Sequence, residues 1–115
     1  MSAIAAAVGL LLSPGAAAAA PVRVEVGSLQ QLVDYPAEAM REGQQGVVRF
    51  DLRIDTEGRV TDCLITASSG SGLLDANTCR SVMHRAHFRP ARDAAGNAVP
   101  AIASSSISYS LAPAG

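Results

Sequence analysis

The chain has no lysine and no tryptophan, and only two cysteines, two tyrosines and two phenylalanines in 115 residues. With lysine missing, nine arginines stand against ten acidic residues and the net charge is −1. The uniform cationic face that a phosphate backbone demands is therefore absent, and no nucleic-acid partner is expected. Hydrophobic residues make up 49% of the chain but aromatic ones only 3%. Such a composition supplies an aliphatic core without stacking platforms or an aromatic cage. There is no Gly-x-Ser-x-Gly elbow, no Gly-Lys-Ser/Thr phosphate loop and no Cys-x-x-Cys pair, so the commonest hydrolase, nucleotide and redox sites have no foothold. No enzyme is expected.

Charge is also missing from residues 1–20. Ala3 to Leu12 form an apolar stretch, broken by Ser13-Pro14-Gly15, of roughly ten residues, whereas a bilayer span needs about 20. The small residues Ala16 to Ala20 follow, and the first cation is Arg23. This order reads as a signal peptide over residues 1–20, or the remnant of a membrane anchor. No cysteine follows the apolar run, which closes the acyl-anchored lipoprotein route. Roughly 95 residues then remain, enough for one small domain with a thin core.

Within that remainder, Val22-Arg23-Val24-Glu25-Val26 alternates as a short extended segment ended by Gly27, suited to a sheet edge. A turn or short helix begins at Ser28, and a helix follows from Pro36 to Glu42, with Pro at its first position and Gly43 as its stop. The strongest strand signal opens at Gly46: Val48, Phe50, Leu52 and Ile54 share one face, and Arg49, Asp51, Arg53 and Asp55 the other. Asp55-Thr56-Glu57-Gly58 has the composition of a hairpin turn, returning as a strand from Arg59 to Ala67. Alternation on that return strand does not decide which face points inward. Ser68 to Gly72 is a turn leading into a helix from Leu73 or Leu74 to His87, with Cys79, Val82, Met83 and Ala86 at helical spacing. Asp93 to Pro100 reads as a loop. Ile102 to Leu111 alternates again, Ser105, Ile107, Tyr109 and Leu111 against a serine stripe of Ser104, Ser106, Ser108 and Ser110 that faces solvent.

The words Tyr35-Pro36, Gln45-Gly46-Val47-Val48, Ile54 to Val60, Ser68-Ser69-Gly70, Leu74-Asp75, Phe88-Arg89-Pro90-Ala91 and Asp93-Ala94-Ala95-Gly96 occur in this order. Together they resemble the C-terminal domain of the TonB energy transducers. The resemblance implies an α+β fold, two helices packed on a three-stranded antiparallel sheet, spanning residues 34–112 after an N-terminal extension of residues 21–33. It further implies a periplasmic binding domain that adds the TonB box, an extended peptide of outer-membrane receptors, as a strand in energy-dependent transport. By that mapping Ser104, Ser105, Ser106, Ile107, Ser108, Tyr109, Ser110 and Leu111 carry the main-chain contacts, since a sheet edge presents unpaired N–H and C=O groups. Transducers of this family also carry a membrane helix that meets ExbB and ExbD and a long Pro-rich span. Neither lies between Met1 and Tyr35, so contact with ExbB and ExbD is expected only if an anchor lies upstream. The alternative is a standalone periplasmic adaptor or structural protein, which an open edge would also allow to pair as a homodimer.

Cys63 and Cys79 stand sixteen positions apart. In an oxidising periplasm an even pair reads as a structural disulfide, the alternative being two buried thiols. His84 and His87 share a helix face but lack a third ligand, and as cations in the last turn they suit the helix dipole, so no metal is expected. Gly70-Ser71-Gly72 is a turn rather than a phosphate cradle. The hairpin carboxylates are scattered rather than paired in a pocket, and no cofactor is implied.

Overall fold

The computed structural model describes residues 21–112; the expected signal peptide lies outside the described residues. The elements in order are β1 (Val22–Glu25), a 3₁₀ turn (Gln30–Leu32), α1 (Ala37–Arg41), β2 (Gly46–Ile54), β3 (Val60–Ala67), α2 (Gly72–Arg85), β4 (Ala91–Arg92), β5 (Ala98–Val99) and β6 (Ala101–Tyr109). Four strands form the main sheet in the order β1-β6-β2-β3, while β4 and β5 pair as a separate small ribbon. The segment expected to be a plain loop from Asp93 to Pro100 thus holds half of a hairpin. Its turn forms because Asp93 accepts hydrogen bonds from the amides of Ala95 and Asn97.

The expected antiparallel triplet is present as β6-β2-β3, with Val48 opposite Ile107, Phe50 opposite Ser105 and Leu52 opposite both Ala103 and Cys63. The expectation of three strands is nonetheless corrected. A fourth, β1, pairs in parallel with β6, Val22 opposite Ala101 through Glu25 opposite Ser104, so the sheet is mixed. Val-x-Val alternation marks a strand but carries no information on which strand it joins.

Period-two patterning places Val48, Phe50, Leu52 and Ile54 in the core, where Leu74, Val82 and Ala86 of the α2 side and Ala103, Ile107 and Tyr109 of β6 meet them. Full burial of Phe50, Leu52 and Ile107 stabilises the domain by about 1.5–3 kcal/mol each. On β3 the inward residues are Cys63 and Ile65, which pack against this cluster. The face of α2 is the expected one in part. Val82, as expected, and Ala86, just past the helix end, are buried, but Met83 is exposed and Leu74, Asn77 and Thr78 complete the inward face.

The two buried polar residues of α2 have a common partner. Thr78 Oγ1 lies 2.8 Å and Asn77 Nδ2 3.0 Å from the Tyr109 hydroxyl, and Asn77 also donates to the Asp34 carbonyl at 2.8 Å. Tyr109 further packs edge-on against Tyr35, ring centroids 5.3 Å apart. Buried polar groups are tolerated when paired in this way, and here the pairing locks the end of β6 onto α2 and onto the segment before α1.

Two glycines are required by close approach. Gly58 has φ +86, and a Cβ there would stand 2.0 Å from the Phe88 carbonyl oxygen; the same contact lets Phe88 N donate to Gly58 O at 3.1 Å. At Gly46 a Cβ would meet the Ser69 carbonyl oxygen at 2.3 Å. Side chains at either position would push the hairpin or the β3–α2 turn off the sheet.

Candidate functional site

The site implied by the sequence is the edge of β6 that faces away from β2. Val22 N donates to Pro100 O at 3.1 Å and Val26 N to Ser104 O at 3.0 Å. Alternation then directs the backbone groups of Ile102, Ser104, Ser106 and Ser108 to this edge and those of Ala101, Ala103, Ser105, Ile107 and Tyr109 to β2. The eight expected contact residues are therefore sorted by the pleat. Ser104, Ser106 and Ser108 have outward backbone groups and outer-face side chains. Ser105, Ile107 and Tyr109 are buried and hold the strand in place. Ser110 and Leu111 lie beyond the strand end, with Leu111 N donating to Gln45 Oε1 at 2.8 Å.

This edge is covered by the chain itself. After β1 ends, the Gln30 side chain continues the pairing as a substitute peptide group: Gln30 Nε2 donates to Ser108 O at 2.8 Å and Ser108 N donates to Gln30 Oε1 at 3.1 Å. Between them Ser105 Oγ donates to the Gly27 carbonyl at 3.2 Å. The alternation from Val22 to Val26 marks an edge strand, as found, but not that β6 is its partner, and the isolated Gln30 had no pattern to mark it.

On the outer face a charge pattern crosses three strands. Arg23 reaches Asp51 at 3.5 Å and Glu25 reaches Arg49 at 3.8 Å, while Ser104 Oγ donates to Asp51 Oδ1 at 2.6 Å. Arg53 pairs with Asp62 at 3.9 Å. Ile102 sits between these rows, buried although it shares the face of the serines.

The opposite flank, β3, is secured differently. Cys63 and Cys79 are bonded, with Cα atoms 5.7 Å apart, so the expected disulfide ties β3 to α2. Cys63 N, which alternation turns toward the outer edge, donates to Asp62 Oδ1 at 2.9 Å. At the end of β3 the Asp75 carboxylate accepts from the Ser68 hydroxyl and from the Ser69 amide and hydroxyl. Partial burial opposes the charge of Asp75, but these hydrogen bonds outweigh it and hold the carboxyl below its ordinary pKa. At the other end Asp55 accepts from the amides of Arg59 and Glu57 and from the Arg59 side chain. Those bonds, the Arg59 amide first, lower its pKa as well. Asp93 is lowered in the same manner, chiefly by the Asn97 amide.

A surface depression of about 700 Å³ lies between α1 and the start of α2 and holds one titratable side chain, Glu38. Its polar groups are engaged with one another: Ser71 Oγ caps α2 at Leu74 N and also bonds the Gln44 side chain. His84 and His87 are exposed, and among the described residues no three potential ligands converge on a metal site.

A family model described as the Gram-negative bacterial TonB protein C-terminal region matches residues 31–111. The chain belongs to the TonB C-terminal domain family. No curated protein and no solved structure matches it. TonB C-terminal domains are periplasmic and non-enzymatic, and membership carries with it a TonB-like role in receptor interaction. No helix among the described residues is long and apolar enough to cross a membrane. The match takes in the antiparallel triplet and both α-helices but begins after β1 and Gln30. The strand that covers β6 is thus outside the TonB-type unit recognised by the family model.

Proposed function

We propose that this chain engages outer-membrane receptors by strand addition at the outward edge of β6, binding the TonB box in energy-dependent transport. The observation that carries this reading is the β1–β6 pair. A segment with no other strand partner docks on this edge through main-chain hydrogen bonds, so the edge has the register and space for a parallel strand. Ser104, Ser106 and Ser108 supply the alternating backbone donors and acceptors for the partner, and the buried Ser105, Ile107 and Tyr109 anchor β6. Small hydroxyl side chains leave room on the outer face. Ser110 and Leu111 extend the contact past the strand, and ExbB and ExbD enter only through an anchor upstream. The second reading is a standalone periplasmic adaptor, favoured by the occupation of the edge by the chain's own strand.

The test is a titration of the full chain with receptor plug peptides containing the TonB box, followed by amide NMR. Shifts are expected at Ser104, Ser106 and Ser108. The Ser106→Pro variant removes one outward donor without touching the β2 pairing and should weaken binding about tenfold, a loss of ~1.4 kcal/mol. Unchanged affinity in folded Ser106→Pro would place the receptor contact elsewhere, and no shifts at millimolar peptide would leave the adaptor reading.

A further inference from the structure

The β6 edge carries an occupant, and that occupant is lightly held. All four residues of β1 are exposed, Val22 and Val24 at 39% and 42%. In the ion pairs Arg23–Asp51 and Glu25–Arg49 the β1 partners, Arg23 and Glu25, are open to water, as is Arg49, while Asp51 is mostly shielded; exposed pairs such as Glu25–Arg49 are worth about 0–1 kcal/mol. The core formed by Val48, Phe50, Leu52, Ile107 and Tyr109 lies beneath β2 and β6, and of residues 22–26 only the half-buried Val26, just past β1, packs against it. Detaching residues 22–26 breaks a short row of main-chain hydrogen bonds and leaves the disulfide and the Tyr109 network intact. The segment also precedes the span matched by the family model.

We infer that β1 is an exchangeable strand, a built-in occupant of the docking edge that a partner strand of the same direction and pattern displaces. The inference rests on the strand-addition reading and adds to it the partner's chemistry and a threshold for its entry. The fitting partner is an extended peptide, parallel to β6, with branched apolar residues at alternate positions above Ala101 and Ala103. Of its remaining positions, one carries a cation beside Asp51 and the next an anion beside Arg49. Val22 to Glu25 is itself such a sequence. An intramolecular occupant acts at an effective concentration in the millimolar range, so a partner's apparent affinity falls in proportion to the fraction of molecules with the edge open.

The experiment uses the full chain and two probes: a synthetic copy of Pro21 to Gly27, and the receptor plug peptide. Val24→Pro removes the central donor of β1, which alternation directs to β6. This variant is expected to bind the Pro21–Gly27 copy about tenfold or more tighter than the unmodified chain, with shifts at Ile102, Ser104 and Ser106. A second variant, Glu25→Cys with Ser104→Cys, joins register partners on the outer face at a spacing a disulfide can bridge. Oxidised, it should bind neither probe on β6.

Native-state amide exchange provides an independent arm: Val24 and Val26 amides should exchange at least about a hundredfold faster than those of Val48 to Leu52. The proposal is overturned if folded Val24→Pro binds the copy no better than the unmodified chain does, or if the β1 amides are as protected as those of β2. If Val24→Pro does not fold, the exchange rates decide. Copy binding by Val24→Pro with no receptor-peptide binding by any variant would sink the receptor reading and leave this one standing. Equal receptor-peptide binding by all three chains would sink this one and spare receptor recognition.

Discussion

The two flanks of the sheet are closed by opposite means. On the β3 side the strand is bonded covalently to α2 through Cys63–Cys79, its exposed Cys63 amide is capped by Asp62, and both of its ends are gathered around carboxylates, Asp55 and Asp75. On the β6 side the cover is the four exposed residues of β1, single hydrogen bonds at Val26 and Gly27, and one glutamine side chain. Edge strands invite unwanted pairing, and each arrangement reduces that exposure on its own flank. Only the second can be undone without opening the core. A binding edge has to be both protected and available, and on the reading proposed above that availability lies on the β6 side.

The strongest way to break the contrast is to remove the covalent tie. Replacing Cys63 and Cys79 by serine should cost about 3 kcal/mol in the chain-entropy account, some 10–20 °C in Tm for a domain of this size. Amide exchange should rise along β3 and leave the already fast β1 amides where they were. Equal loosening of both flanks would show that they are not independent.

Acid should act on the same flank with a smaller effect. Asp55 and Asp75 have folded pKa values below their unfolded ones. Their contribution is therefore complete above the ordinary carboxylate range, near pH 4, and is lost as pH falls through the lowered folded values. A thermal scan from pH 6 to pH 2 should show stability falling only below about pH 4. Asp75→Ala should cost about 1–2 kcal/mol at neutral pH and flatten that dependence. A variant whose acid response matches that of the unmodified protein would rule out Asp75 as a contributor.

The smallest effect sharpens the other side. Gln30→Ala deletes two hydrogen bonds to Ser108 and should cost about 1 kcal/mol or less, with faster exchange of the Ser108 amide as its readout. Unaltered Ser108 exchange would mean that this end of the edge is protected by something other than the glutamine.

Much of this architecture was legible in the chain. The alternation from Val48 to Ile54, the Asp55–Gly58 turn and the alternation into Tyr109 each encode which face is wet, because a strand's side chains point to opposite faces in turn. The helix after Ser71 was legible too, but its buried face only in part: Val82 and Ala86 turn inward as their spacing implies. Hydrophobic spacing selected Met83, while the structure buries Asn77 and Thr78 and exposes Met83. The reason is the Tyr109 hydroxyl, whose need for partners at the end of β6 favours a polar pair on α2; a distant partner leaves no mark in local periodicity. The docking edge was half legible. The serine stripe located the strand, but the turning of Ser105, Ile107 and Tyr109 into the core distinguishes anchors from contacts, and although Val22 to Val26 read as an edge strand, its place on β6 and the part of Gln30 were out of view.

By itself the sequence determined the family, the antiparallel hairpin and the cysteine pair suited to a bridge, since each depends on residues close together in the chain or on motifs in a set order. Tertiary structure alone decided that β1 joins β6 in parallel, that Gln30 completes the edge and that Tyr109 recruits Asn77 and Thr78. These contacts join residues 31 to 79 positions apart. At such separations the pairing is chosen by which backbone groups remain unsatisfied after the hairpin and helices have packed, a quantity that exists only once the chain has folded.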